Sequence, residues 1–463
     1  MNKIKINIYQ KLLLITIIPY FIFILFFLSK KLLILINSIL LVNFFVFLIL
    51  ILFIILLFLC RKFHGDVINF FSKWIFIILI SICFLETNYE LNIPQYFSSF
   101  FEKKIKTREE FIEDLRIDGI KAVPNVSTMR LIQEEIETNQ SYDLLPLGAV
   151  SNIVSVFGNN QIVNKNTFVE MDEHGFNNNK GLYIKDNVEI MLVGACMWEE
   201  AGMKNPSKEN MGQLLRDRGF SAINLSKVGV NPLIQLALIR EYAKPIKPKV
   251  VLFLVREGVS QFLIENSLIL NGYRNNDSFS QNLFSRQDEI DKIWLDLINN
   301  KLKLNTEKTK NIKNKIKIYS YHTTRILTFA NIRFIFNIHP FKKHHLNVLK
   351  LDTEERAAEL EEIIVKSDRT VKEWGGKLYI VYQPQKENFI DGDPNYLFDL
   401  ALKISKKNNI PIIDMNEKVF SVHPDPLSLL PFRKDPHVNV KANKLMAEVI
   451  ANRVIRDGVL DPR

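Results

Sequence analysis

The sequence has 463 residues, a net charge of +10 and three cysteines. Cys60 and Cys83 fall in strongly apolar runs, so Cys196 has no partner in the polar part of the chain, and an internal disulfide framework is excluded. The densest basic run, 301–318, is typical of a solvated surface, with an anionic surface or polymer as the alternative partner. No nucleic-acid recognition motif is present, and nucleic acid is not an expected partner.

The first 86 residues predict a transmembrane region. Apolar runs cover 12–28, 32–60 and 67–85, and a bilayer-spanning helix needs about 20 apolar residues. A cleaved signal peptide is the competing interpretation of the first run, but no small-residue cleavage site follows it. Lysines before the first run and Arg61-Lys62 after the second favour the cytoplasmic side, whereas Lys30-Lys31 argue against this. We therefore expect a multi-pass inner-membrane protein whose later residues lie outside the cytoplasm, in the periplasm.

Residues 87–165 are of mixed polarity and predict a connecting segment with two helices, near Arg108–Leu115 and Ser127–Thr138. The remaining 166–463 predict one domain, with an Asn/Lys-rich insertion near 265–350 that contains a helix at Gln287–Asn299.

Strands alternate with helices from Asn187 onward. Continuous apolar strands separated by helices predict an α/β class, a three-layer α/β/α domain with a mainly parallel sheet. Asn231 and Asn439 are candidate N-caps of two of the helices. The predicted strands are VEIMLVGA (188–195), SAINLS (221–226), KVVLFLV (249–255), KLYIVYQP (377–384) and IPIIDM (410–415), and the predicted helices are 209–218, 232–242, 353–374, 395–407 and 440–455.

Working residues of a parallel sheet gather at the carboxyl ends of its strands. Cys196 follows the first predicted strand, where backbone N–H groups can lower a thiol pKa and favour the nucleophilic thiolate. The alternative is that Cys196 is a small buried apolar residue. Near the other end of the chain, Asp435 and His437 precede the last helix, and an Asp near a His can orient the imidazole as a general base.

Other candidates for chemistry are weaker. His339, His344 and His345 form a short cluster, but a metal site would need further ligands. No phosphate-binding glycine loop is present. We therefore expect neither a metal nor a cofactor.

Several segments, in order between Glu170 and Val454, resemble the SGNH or GDSL-like hydrolases, and especially their membrane-anchored bacterial members. They are MDEHGFNN (171–178), IMLVGAC (190–196), the long run FSAINLSKVGVNPLIQLALIREYAKPIKPKVVLFLVREG (220–258), WGGKLYIVYQP (374–384), IPIIDMNEKVF (410–420) and DPHVNVKANKLMAEVI (435–450).

The resemblance implies acyl transfer by a nucleophile that a His deprotonates and an Asp orients. Carried over by position, the nucleophile is Cys196, the Asp and His are Asp435 and His437, and Gly229 is an oxyanion donor. The chain departs from the family where Gly194-Ala195-Cys196 replaces Gly-Asp-Ser. It departs again where Val259 replaces the oxyanion Asn, because valine cannot donate a hydrogen bond.

Two main hypotheses remain open from the sequence, beside a third in which the protein is a membrane scaffold whose soluble domain is only a spacer. In the first, Cys196 is a working thiolate, and the protein is an esterase or acyltransferase acting on acyl groups, with acylated envelope glycans as the implied substrate class. In the second, the pocket is catalytically silent and binds a glycan or an envelope acyltransferase partner. The nucleophile exchange favours the first hypothesis, and the loss of the Asn at 259 favours the second.

Overall fold

The computed structural model describes residues 108–132, 142–157, 168–195, 198, 205–256, 267–308, 354–390, 396–433 and 437–462. Apart from Lys308, these belong to one compact unit formed by Ile105–Glu307 and Lys343–Arg463. No helix in these ranges has both the length and the hydrophobicity needed to cross a bilayer. The three predicted membrane runs lie outside the described residues.

A five-stranded parallel sheet is the centre of the domain. In chain order its strands are β4 (Ile190–Val193), β5 (Ala222–Asn224), β6 (Val250–Arg256), β7 (Lys377–Gln383) and β8 (Ile412–Asp414). A second sheet precedes it in the chain and consists of β1 (Ala122–Pro124), β2 (Val154–Val156) and β3 (Phe168–Glu170). The spatial order is β5-β4-β6-β7-β8, and every neighbouring pair is parallel. This is a doubly wound order: β5 is added on one side of β4, and β6, β7 and β8 are added on the other side.

In chain order, the helices of the described residues are α1 (Arg108–Ile117), α2 (Pro206–Glu209), α3 (Met211–Arg216), α4 (Pro232–Leu238), α5 (Leu268–Asn275), α6 (Gln287–Lys308), α7 (Glu354–Lys372), α8 (Lys386–Ile390), α9 (Tyr396–Asn408) and α10 (Val440–Arg456). α1 packs against β1 and β2, whereas α3 and α10 cover one face of the main sheet and α4, α7 and α9 cover the other. α4 continues through a π-helical turn (Ile239–Ala243) and a last α turn (Lys244–Ile246), and short 3-10 or π turns lie at Leu283–Ser285, Asn416–Phe420, Pro426–Leu429 and Pro431–Arg433. The predicted caps are confirmed: Asn231 accepts from Ile234 N, and Asn439 accepts from Ala442 N.

Successive side chains of each strand point to opposite faces of the sheet, so the domain has two hydrophobic cores, one on each face. Met191 and Val193 of β4 join a cluster with α4, α7 and α9, while Ile190 and Leu192 join a second cluster with α3 and α10. Both faces of β4 are fully buried, which is why its sequence is apolar without alternation. The three-layer α/β/α prediction is confirmed for the described residues.

The described residues of 108–157 pack into the domain. Leu145 and Leu147 are fully buried in the core cluster beneath α4. β1 and β2 pair in parallel, and β2 pairs with β3 in the antiparallel sense. Residues 128–132 are helical, as predicted, and the rest of that predicted helix lies outside the described residues.

The described part of the predicted insertion is fastened to the same region. Trp294 of α6 donates from Nε1 to Gly148 O at 2.7 Å, and Ser151 donates from N and Oγ to the Asp291 carboxylate. The π turn after α4 binds the beginning of the insertion: its Glu241 carboxylate accepts from Tyr273 Oη, Gln281 N and Leu283 N at 2.5–2.7 Å. The described residues of the predicted connecting segment and of the predicted insertion therefore pack against each other.

Candidate functional site

Strand β4 ends where its backbone leaves the sheet. A Cβ atom on Gly194 would lie 2.9 Å from Trp198 Cε3 and 3.1 Å from Leu254 Cβ, so only glycine fits at this exit. The pairing of β4 with β6 ends at Val193 and Phe253, so Leu254 of β6 has no backbone partner from β4. The Gln235 side chain replaces it, accepting from Leu254 N at 3.0 Å and donating to Leu254 O at 2.9 Å. The sheet thus releases Gly194-Ala195 without leaving Leu254 unpaired.

A turn from the adjacent strand lies beside this exit. Backbone bonds from Leu225 N to Leu192 O and from Lys227 N to Gly194 O extend the β5–β4 pairing past the strand ends. The chain then reverses at Lys227–Val230, closed by Val230 N donating to Lys227 O. Gly229 has φ +80°, which a turn of this form requires at its third position. The predicted oxyanion residue Gly229 is therefore next to the β4 exit.

The N-terminal part of the domain covers Gly229. A Cβ atom at this position would lie 2.8 Å from Met129 Cγ and 3.7 Å from Ser127 Oγ. Thr128 Oγ1 donates to Pro146 O at 2.8 Å and is buried, which fixes this short segment. Residues 127–129 therefore form one wall of the candidate site.

Asn224, at the end of β5, joins the two loops of the site. Its Nδ2 donates to Trp198 O at 2.7 Å, and its Oδ1 accepts from Ser226 N at 3.0 Å. Trp198 follows Cys196 by two residues, and Ser226 begins the turn that contains Gly229. One fully buried amide thus holds both the loop of the predicted nucleophile and the loop of the predicted oxyanion donor. Sequence reasoning missed Asn224, because its role depends on contacts distant in the chain.

A buried carboxylate supports Asn224 from behind. Asn178 accepts from Asn224 N through Oδ1 at 2.9 Å, and donates through Nδ2 to Asn224 O and to Asp172 Oδ2. Asp172 also accepts from Tyr183 Oη, His174 N and Phe176 N. Burial raises the pKa of Asp172 from 3.8 to about 6, and its hydrogen-bond donors oppose that rise. The Asp172–Asn178 turn, noted in the sequence only for its family resemblance, is therefore a structural support of the site.

His437 lies just before α10, and the direction of that helix indicates its position. At the C-terminal end of α10, Asp457 accepts from Tyr379 Oη and Arg453 donates to Ile412 O, near the amino ends of β7 and β8. A helix of 17 residues is about 25 Å long, so α10 begins at the carboxyl edge. Val438, beside His437, is buried in the same cluster as Ala195 and Trp198.

The carboxyl edge of the sheet therefore gathers two of the predicted site residues. Gly229 and His437 are described, and both lie at the end of the sheet where β4 releases Gly194-Ala195. The predicted nucleophile Cys196, its partner Asp435 and the substituted oxyanion position Val259 lie outside the described residues, as do His339, His344 and His345. The geometry suits chemistry on a group held between the β4 exit and the start of α10.

Comparison with known proteins finds distant structural similarity. No protein-family model matches the chain, and no curated protein matches it. Among solved structures, a lipase/acylhydrolase from Enterococcus faecalis is similar at 12% identity over 60% of this chain and 98% of its own, with a TM-score of 0.32. A putative acylhydrolase from Bacteroides fragilis has 11% identity over 60% and 90%, with a TM-score of 0.30. An acetylxylan esterase from Geobacillus stearothermophilus has 12% over 59% and 96%, with a TM-score of 0.29.

Identities and TM-scores at this level transfer no activity or residue role to this chain. The fold assignment stands on the strand order and the two helical layers, which agree with the SGNH-hydrolase-like fold that the sequence resemblance predicts.

Proposed function

We propose that this chain is an SGNH-like esterase or acyltransferase that uses Cys196 as nucleophile, His437 as general base and Asp435 to orient the imidazole. One observation carries the proposal. The β4 exit at Gly194, the Gly229 turn and the start of α10 converge on one edge of the sheet, joined by the Lys227 N to Gly194 O bond and by Asn224. These are the three positions that acyl transfer by nucleophile, oxyanion donor and base requires.

The proposed reaction has two steps. His437 takes the thiol proton, the Cys196 thiolate attacks the acyl carbonyl carbon, and the carbonyl electron pair moves onto oxygen, where the Gly229 N–H donates to it. Collapse of this intermediate re-forms the carbonyl and expels an alkoxide, which takes the proton from His437. Water or an acceptor hydroxyl then attacks the thioester in the same way and restores the thiol.

The second candidate function is a catalytically silent module that binds a glycan or an envelope acyltransferase partner. The sequence feature that favours it is Val259, which stands where the family resemblance implies an oxyanion Asn. Loss of one such donor costs roughly 10² to 10³ in rate, and attack by a thiolate still generates an oxyanion.

The proposal includes location and substrate class. The runs at 12–28, 32–60 and 67–85 anchor the chain in the inner membrane, and the domain faces the periplasm, where acylated envelope glycans are the substrate class. The side is tested with a membrane-impermeant maleimide and an Ile184→Cys variant of a chain whose three native cysteines are alanine. Ile184 is 56% exposed, so labelling in cells with a permeabilised outer membrane supports a periplasmic domain, and labelling only after complete lysis contradicts it.

Ester hydrolysis tests the activity. The full-length protein, purified in detergent, is assayed with p-nitrophenyl acetate beside Cys196→Ala and His437→Ala, with Lys180→Ala as a control at an exposed ion pair with Glu170. Turnover present in the parent and the control but absent from both site variants supports the Cys–His site. Equal rates in all four proteins contradict the enzyme and favour the binding module, which glycan arrays and partner capture then test.

A further inference from the structure

Gln383 ends strand β7 at the carboxyl edge of the sheet. It is in register with Arg256, the last residue of β6. Side chains alternate along β7: Leu378 and Ile380 join the cluster beneath α4, whereas Tyr379 and Val381 join the cluster beneath α10. Gln383 continues the second series. It therefore faces the same side as α10, the helix that His437 precedes.

The Gln383 amide is buried without a partner in the described part of the chain. The residue is 1% exposed, and neither Nε2 nor Oε1 makes a hydrogen bond. Leaving such a group unpaired costs about 1–3 kcal/mol. Gln235 and Gln281 are also buried, and their amides bond to the backbones of Leu254 and Leu145, respectively. The contrast marks Gln383 as a group that no described part of the fold uses.

Two other buried polar atoms beside the exit of β4 are also unpaired among the described residues. They are Ser226 Oγ, beside the β4 exit, and Trp198 Nε1, whose ring lies against Gly194. Together with Gln383 they lie on both sides of the exit of β4. Such a set of unmet donors indicates a place where a polar ligand completes the hydrogen bonding.

We propose that Gln383 Nε2 donates a hydrogen bond to the carbonyl oxygen of the bound acyl group, and supplies the oxyanion donor that Val259 cannot. The inference rests on the proposed function. Gly194 faces Trp198 and Leu254 on the α10 side, the side that Gln383 also faces. Only β6 separates β4 from β7, a gap of two strand spacings, about 10 Å. In this arrangement the bound acyl group extends from the β4 exit over Arg256, the intervening side chain on this face of β6, toward Gln383.

The proposed role adds no covalent step. As the carbon–sulfur bond forms, the carbonyl electron pair moves onto oxygen, and Nε2 donates to the negative charge that develops there. Collapse returns the pair to the carbonyl and expels the alkoxide. The amide keeps its protons throughout, so Gln383 acts by charge stabilisation alone.

The test compares two substitutions of matched size, Gln383→Met and Gln235→Met, in the full-length protein. The readouts are thermal unfolding, the pre-steady-state rate of p-nitrophenolate release, and the mass of the acetylated Cys196 peptide. We expect Gln383→Met to unfold at the parent temperature or above, since it removes an unpaired amide, and to acylate 10²–10³-fold more slowly with little change in KM. Gln235→Met should unfold at a lower temperature, because Leu254 loses two bonds.

A Gln383→Glu variant keeps the size of the side chain but replaces its amide, so it distinguishes loss of the hydrogen-bond donor from a change in side-chain shape. Burial favours the protonated form of a carboxyl group, which can donate, whereas the ionised form cannot. Gln383→Glu should therefore lose acylation as Gln383→Met does when it is assayed at a pH above the raised pKa of the introduced carboxyl group. A parent-like acylation rate in either variant overturns the role of Gln383 and leaves the proposed function standing. A fall in unfolding temperature for Gln383→Met as large as that for Gln235→Met has the same consequence. Absence of Cys196 acetylation in the parent overturns the proposed function, and the role of Gln383 with it.

Discussion

The side chain of Asn224 donates to the carbonyl oxygen of Trp198 at 2.7 Å, while its own oxygen accepts from the backbone of Ser226. The loop after β4 and the turn after β5 are consequently fastened to each other, and not only to their own strands. Motion of one loop against the other therefore requires breaking the Asn224 bond to Trp198, in addition to the backbone bond between Lys227 N and Gly194 O.

Replacement of Asn224 by alanine should loosen this connection. Trp198 O and Ser226 N would each lose a buried partner, at a cost of about 1–3 kcal/mol per group. We expect faster alkylation of Cys196 by iodoacetamide, because the loop is freed, together with slower ester turnover. Asn408→Ala is the control, since Asn408 bonds to Ile404 O and Glu361 at the far end of α9. An alkylation rate in Asn224→Ala equal to that of the parent would show that the amide does not constrain the loop.

Alanine at Gly229 should destabilise the fold in two separable ways. The positive φ alone costs about 1–2 kcal/mol for a residue with a Cβ atom, and the contact with Met129 at 2.8 Å adds to it. Gly181 has φ +77°, and a Cβ atom there would meet no heavy atom within 4 Å, so Gly181→Ala measures the φ cost by itself. Thermal unfolding should rank Gly229→Ala below Gly181→Ala, and adding Met129→Ala to Gly229→Ala should recover part of the difference. Equal losses at the two glycines would rule out the Met129 contact.

The pH dependence of stability should report Asp172. Its folded-state pKa is raised from 3.8 to about 6, so the folded protein holds this proton more tightly than the unfolded chain does. The contribution of Asp172 to the free energy of unfolding therefore falls as pH rises from about 4 to about 6, and is constant above that range. Thermal unfolding of Asp172→Asn between pH 4 and 7 should lack this slope, with Glu448→Gln as a surface control. Parallel pH profiles for parent and Asp172→Asn would mean that the pKa is not raised.

Glu241→Gln should loosen the described part of the insertion. The carboxylate accepts from two backbone N–H groups and from Tyr273 Oη, and hydrogen bonds to a charged group contribute about 1.5–3 kcal/mol each. We expect limited proteolysis to cut first between Tyr273 and Leu283, and to do so faster than in the parent. Glu373→Gln serves as the control, because its ion pair with Lys244 is exposed. An unchanged first cut would mean that other contacts hold this loop.

The sheet and its edge were predictable from the sequence for physical reasons. IMLV of β4 is buried on both faces, and only a strand covered by two helical layers reads as a continuous apolar run. Asn231 and Asn439 act within three residues of themselves, so their capping roles are visible locally. The carboxyl-edge rule then directs attention to the segment that contains Gly229, whereas His437 is indicated by the Asp-x-His pattern before the last helix and by the family resemblance.

The remaining parts of the site depend on distant contacts. Asn224, Gln235 and Met129 act on residues that strand order and loop packing bring to them, and no local pattern indicates those partners. β1, β2 and β3 are three residues each, which is too short for a period of two to be recognised. The carboxyl-edge rule indicates Gln383 as one of several strand-end positions, but the sequence does not show that its amide is buried without a partner among the described residues.

The contact between Met129 and Gly229 also bears on how this domain can be inherited. Met129, in the wall of the candidate site, precedes the first strand of the main sheet. Leu145 is buried in the core of the domain, and Gly148 O accepts a hydrogen bond from Trp294 of α6. A recombination junction near residue 165 would separate the oxyanion turn from its wall and α6 from its anchor. Exchange of the main-sheet domain between proteins would therefore have to carry the described residues of 108–157 with it, as one heritable unit.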